Sequence, residues 1–329
     1  MGKTKFVTLL LALLLSALAC EETCRAQEYF VENGIRYRLS TYKSTNQKYC
    51  VLVDNPKAPY SGVVEIPDSA GGYPVTEIAG AFADCKNLTE VRILAPLTEF
   101  SNIDFFGCRK LEKVVIPETL TYLGTRTFYG CHSLKEINFP EGIIVIPMEV
   151  FGCCTGFENM VIPENIQFIG MRAFEGCSFK SIKVPDRVEY IEAGAFRGCG
   201  LETIHIGKGL SLIGPGVFKY CDNLKDVYIT APEPPEFTSE HDFIYEEIDE
   251  GYLANVILYV PEASMDKYRE SEYWSHYKEI RSIESSGITD IEMNSAKRTP
   301  MYDLQGREVN PDTASPGIYI RDGRKIMVI

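Results

Sequence analysis

Histidine is scarce in this chain, and no reactive partner stands near any copy of it. The 329 residues hold four, His132, His205, His241 and His276, none in a motif with a serine, a cysteine or a metal ligand. There is no phosphate-cradling glycine loop, no Gly-x-Ser-x-Gly and no His-Glu-x-x-His. Cysteines at C-x2-C spacing are also missing, Cys153-Cys154 being only a neighbouring pair, so zinc fits poorly. These absences argue for no cofactor, no metal and no enzyme; a convergent pocket of titratable groups would reopen the last point. Basic side chains are outnumbered, 33 Lys and Arg against 46 Asp and Glu, for a formal net charge of −13. Such a chain repels phosphate backbones and anionic headgroups, which excludes nucleic acid and membrane surfaces as partners.

The N-terminus indicates export. Lys3 and Lys5 precede an apolar run from Phe6 to Leu18, too short to span a bilayer, and Ala17-Leu18-Ala19 is a small-x-small cleavage site. Residues 1–19 thus read as a signal peptide. Cys20 follows directly. Its placement resembles a bacterial lipobox, although Leu18 stands one residue out of position. Cys20 is either lipidated or a free thiol of an ordinarily secreted chain. No other segment is long and apolar enough to cross a membrane, so a lipid would be the one anchor after signal removal.

What the chain has in abundance is one repeated tetrad. Phe-x-x-Cys occurs seven times, ending at Cys85, Cys108, Cys131, Cys154, Cys177, Cys199 and Cys221, at intervals of 23 and then 22 residues. A period near 23 marks a solenoid in the leucine-rich-repeat range. In one coil, Val114-Val115-Ile116 is a strand with Val114 and Ile116 inward, and Pro117 ends it for want of an N–H. Leu123 enters the core, Gly124 turns, Phe128 fills the coil, and Cys131 and Leu134 close it. Strands are expected near 114–116, 137–139, 160–162, 182–184, 204–206 and 227–229, paired in parallel. The fold class that follows is a β-rich leucine-rich-repeat solenoid, right-handed, with short helical turns on its convex side. The cysteines are expected as a reduced, buried ladder. Equivalent side chains in stacked coils point the same way, and free Cys packs as a small hydrophobe.

The ends depart from the repeat, as open stacks require. Residues 20–62 read as an N-terminal cap and 63–283 as the solenoid. Ile257 to Pro261 repeats the strand-Pro pattern, and Ser264 is placed to N-cap a helix carrying Tyr268, Trp274 and Tyr277 as a lid. The acidic insertion at 232–251 reads as a solvated loop, without the spacing of a calcium loop. Residues 284–329 form a small β segment, with a hairpin about Asp322-Gly323.

Ile162-Pro163, Ile169-Gly170, Ala173-Phe174 and Gly176-Cys177 stand at the offsets of BspA-type leucine-rich repeats of exported bacterial proteins, which the stretch 63–229 resembles. The tail, with Met301 to Arg307, Gly317 to Ile320 and Gly323-Arg324-Lys325, resembles the C-terminal sorting domain of secreted proteins in Bacteroidetes. The resemblance implies delivery to the cell surface or the medium and a role as an adhesin toward host or bacterial molecules.

A repeat scaffold does not specify its ligand. The outward strand residues should line the concave face: Val115, Asn138, Val161, Lys183, His205 and Tyr228. Charged and aromatic members carry the most interface energy, which singles out Lys183, His205 and Tyr228. The function expected is non-catalytic binding of a protein or glycan partner at the cell surface, with a structural surface-layer component as the alternative.

Overall fold

The computed structural model describes residues 28–158, 160–238 and 253–286, together with the backbone of four short strands between 301 and 328. Residues 1–19, expected to be a signal peptide, lie outside the described residues with Cys20, His241, most of the acidic insertion and the Asp322-Gly323 turn. The chain divides into two compact units, Met1–Gly142 and Ile143–Ile329.

The N-terminal unit opens with an antiparallel hairpin, Tyr29–Glu32 and Ile35–Thr41. Asn33 and Gly34 both take positive φ, as a two-residue hairpin turn of the primed kind requires. Lys48–Leu52 extends this cap sheet and pairs in parallel with Tyr73–Ile78, which leads into the coils. The coils then stack through a parallel sheet of Ser61–Ile66, Asn87–Ile93, Lys113–Val115 and Glu136–Ile137, with Val64, Val91, Val114 and Ile137 in register.

The C-terminal unit carries two parallel sheets. One consists of Ser181–Val184, Thr203–Ile206, Asp226–Ile229, Ile257–Val260 and Glu279–Ser282, in chain order. The other is built from two-residue strands, Val145–Ile146, Phe168–Ile169, Tyr190–Ile191, Leu212–Ile213 and Glu236–Phe237. The sequence pattern placed Ile146, Ile169, Ile191 and Ile213 in the core without showing that they form a ladder. At 160–162 no strand forms, although Met160 and Ile162 are buried and Val161 is exposed, the in-out-in alternation expected there.

Inside each unit the phenylalanines stack. Phe82, Phe105 and Phe128 lie 5.2 Å apart, ring on ring. Phe151, Phe174, Phe196 and Phe218 follow at 5.6, 5.4 and 6.3 Å. All are fully buried. The thiols run alongside. Cys108 donates to Phe82 O (2.9 Å) and Cys131 to Phe105 O (3.1 Å). Cys177, Cys199 and Cys221 donate likewise to the phenylalanine carbonyl one coil back. Burial pushes all five thiols up, Cys131 and Cys221 to about 12. These five are free cysteines, as the ladder reading expects.

The turns opposite the strands are tighter than helices. Cys85 N donates to Phe82 O and Cys131 N to Phe128 O, one turn of 3₁₀ spacing each. Left-handed residues bracket them and stop their extension. Two before each Phe stand Gly80, Ile103 and Arg126 in the first unit and Glu149, Arg172, Gly194 and Gly216 in the second, all at φ between 52° and 63°. Two after each Phe stand Asp84, Gly107 and Gly130, then Cys153, Gly176, Gly198 and Tyr220, at 56–74°. This alternation aims the N–H groups of Ile103, Phe105 and Gly107 at Thr125 O, Thr127 O and Tyr129 O of the next coil (3.1, 2.9 and 2.8 Å). Arg172, Phe174 and Gly176 repeat the arrangement. An extra hydrogen-bonded ladder therefore runs up the turns, and it accounts for non-glycine residues in a costly conformation.

Two further details mark the close approach of coils. A Cβ on Gly124 would lie 2.2 Å from Ser101 O, so a side chain cannot be placed there. Asp104 is fully buried, and its carboxylate accepts from Gly80 N (2.7 Å) and Ser101 N (2.8 Å), stitching two turns together.

The helix expected to carry Tyr268, Trp274 and Tyr277 is shorter and carries only Tyr268 of the three. A 3₁₀ turn, Glu262–Ser264, runs into the helix Met265–Glu270, and Trp274 stands in a separate 3₁₀ turn, Trp274–His276. Ser264 occupies the N-cap position but makes no side-chain cap; its hydroxyl donates to Pro232 O instead. Tyr268 and Trp274, both fully buried, donate to Ala231 O and Pro235 O. Beyond the lid, Glu279–Ser282 adds the fifth strand of the sheet. In the tail, Gly317–Arg321 and Arg324–Val328 form the expected antiparallel hairpin, joined by Met301–Tyr302 and Glu308–Val309.

Candidate functional site

Parallel in-register pairing puts every second strand residue of successive coils in one line, about 4.8 Å apart. In the C-terminal unit that line is Lys183, His205, Tyr228, Tyr259 and Arg281. Their strand neighbours Ile182, Val184, Ile204, Ile206, Val227 and Leu258 are buried, so the line faces away from the core.

The three rings stack. His205 and Tyr228 have centroids 4.6 Å apart at 14°, and Tyr228 and Tyr259 are 4.4 Å apart at 9°. Ile257 and Ile283 pack against the two tyrosines. This mutual cover leaves Tyr228 only 6% exposed and Tyr259 8%. Tyr228 points away from the solenoid core, as the strand alternation requires, yet it is a buried residue. Burial raises the pKa of its hydroxyl, and the neighbouring Tyr259 hydroxyl adds to the effect.

Charges close both ends. Lys183 Nζ lies 3.2 Å from Glu164 Oε1. Arg281 donates to Glu279 at 2.6 Å and is aligned with Tyr259 on the next strand. His205 is half-buried, and its Nδ1 is buried with no hydrogen-bond partner. Burial holds its pKa below the usual imidazole range, and the Lys183 ammonium adds to the effect. A neutral ring with an orphaned Nδ1 carries its proton most cheaply on Nε2, because an unpaired buried donor costs more than an unpaired acceptor.

The other residues of the expected row stand elsewhere. Val115 is half-buried and aligned with Arg92 in the N-terminal unit. Asn138 serves the backbone: its Oδ1 accepts from Ile116 N (2.7 Å) and its Nδ2 donates to Ile116 O (2.8 Å). Val161 is exposed and belongs to no strand. The strand face of the N-terminal unit is laced with ion pairs instead, Arg92–Glu90, Lys113–Glu136 and Lys135–Glu112 at 2.7–3.0 Å. Aromatic side chains are thus concentrated on the outward row of the C-terminal unit.

Two members of the row were not anticipated. Tyr259 sits in the strand-Pro pattern Ile257 to Pro261, and the same slot logic that selected Tyr228 selects it. Arg281 follows Tyr259 by 22 residues, one coil length, but its strand ends in Ser282 and lacks the proline signal. Among the described residues no group of three or more His, Cys, Asp or Glu could hold a metal, and no helix is long and apolar enough to cross a membrane.

The comparisons with known proteins agree with this architecture. The model of the BspA type leucine rich repeat region matches residues 75–156 and 144–250, in six copies. No curated protein matches the chain. Among solved structures, a leucine rich cell surface protein from Faecalibacterium prausnitzii A2-165 is similar with a TM-score of 0.54 and 19% identity, over 78% of this chain and 73% of its own. That likeness shows the fold. The leucine rich repeat protein of T. pallidum aligns at 26% identity over 57% of this chain and 87% of its own, with a TM-score of 0.47. A leucine-rich repeat protein from Bacteroides ovatus ATCC 8483 aligns at 22% identity over 78% and 77%, with a TM-score of 0.45.

Proposed function

Because the chain belongs to the BspA type leucine-rich-repeat family, we propose that it is a non-catalytic cell-surface or secreted protein that binds a protein or glycan partner through the outward row of its C-terminal coils. The observation that carries this reading is the stacked column His205–Tyr228–Tyr259, with Lys183 and Arg281 at its ends. An arginine at such a place is a usual interface anchor, and the buried ring stack holds the row in place. The N-terminal strand face presents exposed ion pairs, Arg92–Glu90 and Lys113–Glu136 among them.

Export supports the same reading. The signal segment, with or without lipid on Cys20, delivers the chain beyond the inner membrane, and residues 284–329 act in sorting. The test is a binding screen of the full mature chain against purified surface proteins and glycans, repeated with Lys183→Ala, His205→Gln and Tyr228→Phe combined. Loss of binding with a melting temperature lowered by no more than a few degrees is the expected result. Unchanged affinity moves the site away from the row. The structural surface-layer alternative wins if no partner is captured and the chain self-assembles with concentration.

A further inference from the structure

We propose that the partner of this row is an acidic polypeptide segment, lying across the strands with carboxylates at the Lys183 and Arg281 ends. The proposal rests on the reading of the row as the binding site, and it selects one class of ligand.

The ring geometry argues against carbohydrate. Sugars bind aromatic side chains through an open ring face. Here both faces of Tyr228 are covered, by His205 at 4.6 Å and Tyr259 at 4.4 Å. Ile257 and Ile283 close the tyrosines further. What the row can offer a partner is polar atoms.

Those polar atoms are chiefly donors. Lys183 has an ammonium and Arg281 a five-donor guanidinium fork, which suits a carboxylate. His205, with Nδ1 buried and without a hydrogen-bond partner, directs its proton to Nε2. Tyr228 and Tyr259 stand in the line between His205 and Arg281. The acidic groups beside the row are Glu164, paired with Lys183, Glu279, paired with Arg281, and Asp226 on the next outward position. The two ion pairs are exposed on the glutamate side, 70% and 48%. Pairs of this type exchange readily for an incoming carboxylate, since each is worth about 0–1 kcal/mol.

The spacing sets the ligand's length. Four strand intervals separate Lys183 from Arg281, about 19 Å. An extended chain covers that distance in about six residues at roughly 3.3 Å each. The overall charge of −13 opposes non-specific capture of acidic chains, so binding of one would report a local site.

The experiment uses the full mature chain and three fluorescent ten-residue peptides of alanine and serine. They carry two glutamates six residues apart, two glutamines at the same places, or two lysines there. Anisotropy titrations are run at low salt beside a labelled N-acetylglucosamine hexamer. The glutamate peptide should bind at least tenfold more tightly than the others. Lys183→Ala and Arg281→Ala should each weaken it by about tenfold, with unchanged melting curves. Equal affinity for the glutamate and glutamine peptides, no binding of any peptide, or binding that survives both substitutions overturns the proposal. Hexamer binding lost on Tyr228→Phe overturns the acidic class while leaving the row as the site. A partner from the screen whose binding no row substitution affects overturns both.

Discussion

The imidazole of His205 lies flat on the ring of Tyr228, 4.6 Å between centroids, with the Lys183 side chain in register on its other side. Protonation of His205 would put a second cation beside Lys183 in a half-buried place, and its pKa is accordingly lowered by burial first and by Lys183 second. The native state therefore binds fewer protons than the unfolded chain below the ordinary value of 6.5. Stability is fully present above that pH and is lost as pH falls toward the folded value. Chemical denaturation from pH 7.5 to 4.5 should show this loss, and His205→Phe, which keeps a ring in the stack, should reduce it. A His205→Phe profile parallel to that of the unaltered protein would show that the acid limb arises elsewhere.

Asp104 predicts the opposite slope. Burial raises its carboxyl from 3.8 to about 8, against the lowering effect of the Gly80 and Ser101 N–H groups. The native state binds the extra proton across that window, so this group's contribution is greatest near pH 4 and falls as pH rises to about 8. Asp104→Asn cannot take up or release the proton, and it also replaces one acceptor with a donor. The variant should be less stable than the parent near pH 5 and should approach it at pH 8. A constant difference across the range would mean that Asp104 stays ionised in the fold.

The buried columns predict slow chemistry and a large packing cost. Cys131 and Cys221, raised to about 12 by burial, should resist alkylation in the folded protein and react at once in denaturant. Phe174→Ala removes a ring stacked on both sides, and it should cost on the order of 3–5 kcal/mol in urea unfolding. Fast labelling of the native ladder would contradict the burial described here.

Tyr228 separates binding from stability. At 6% exposure its truncation to Ala should cost about 2–4 kcal/mol, although it faces away from the solenoid core. Tyr228→Phe keeps the stack and removes only the hydroxyl, so its melting temperature should fall by a few degrees at most. Equal losses in both variants would assign the stabilisation to the hydroxyl and not to the ring.

Much of this architecture was legible because a stacked coil must fill the same slots each time. Phe105, Cys108 and Val114 recur one period apart since any other residue there opens a cavity. Lys183, His205 and Tyr228 were legible by the same slot counting. Tyr259 was not, because the insertion at 232–251 breaks the period just before it, and Arg281 was hidden behind the lid. The alternating turn ladder left only a partial sequence signal. Glycine holds seven of its fourteen left-handed positions, Gly176 of the Gly-Cys pair among them, and Ile103, Arg126, Glu149 and Tyr220 are among the rest, since the bonds to the next coil also impose the conformation. Asn138 misled for a related reason: its slot faces outward, but its amide competes with the backbone for Ile116.

That turn ladder has a direction. In the coils of Phe105, Phe151, Phe174 and Phe196 the N–H groups at the Phe and two residues to either side are aimed at the following coil, whatever side chains stand there. A coil is therefore an exchangeable cassette. Unequal recombination that duplicates or removes 22 or 23 codons leaves each donor opposite an acceptor, and a gene of this kind can change its reach in single steps without passing through a form that cannot fold.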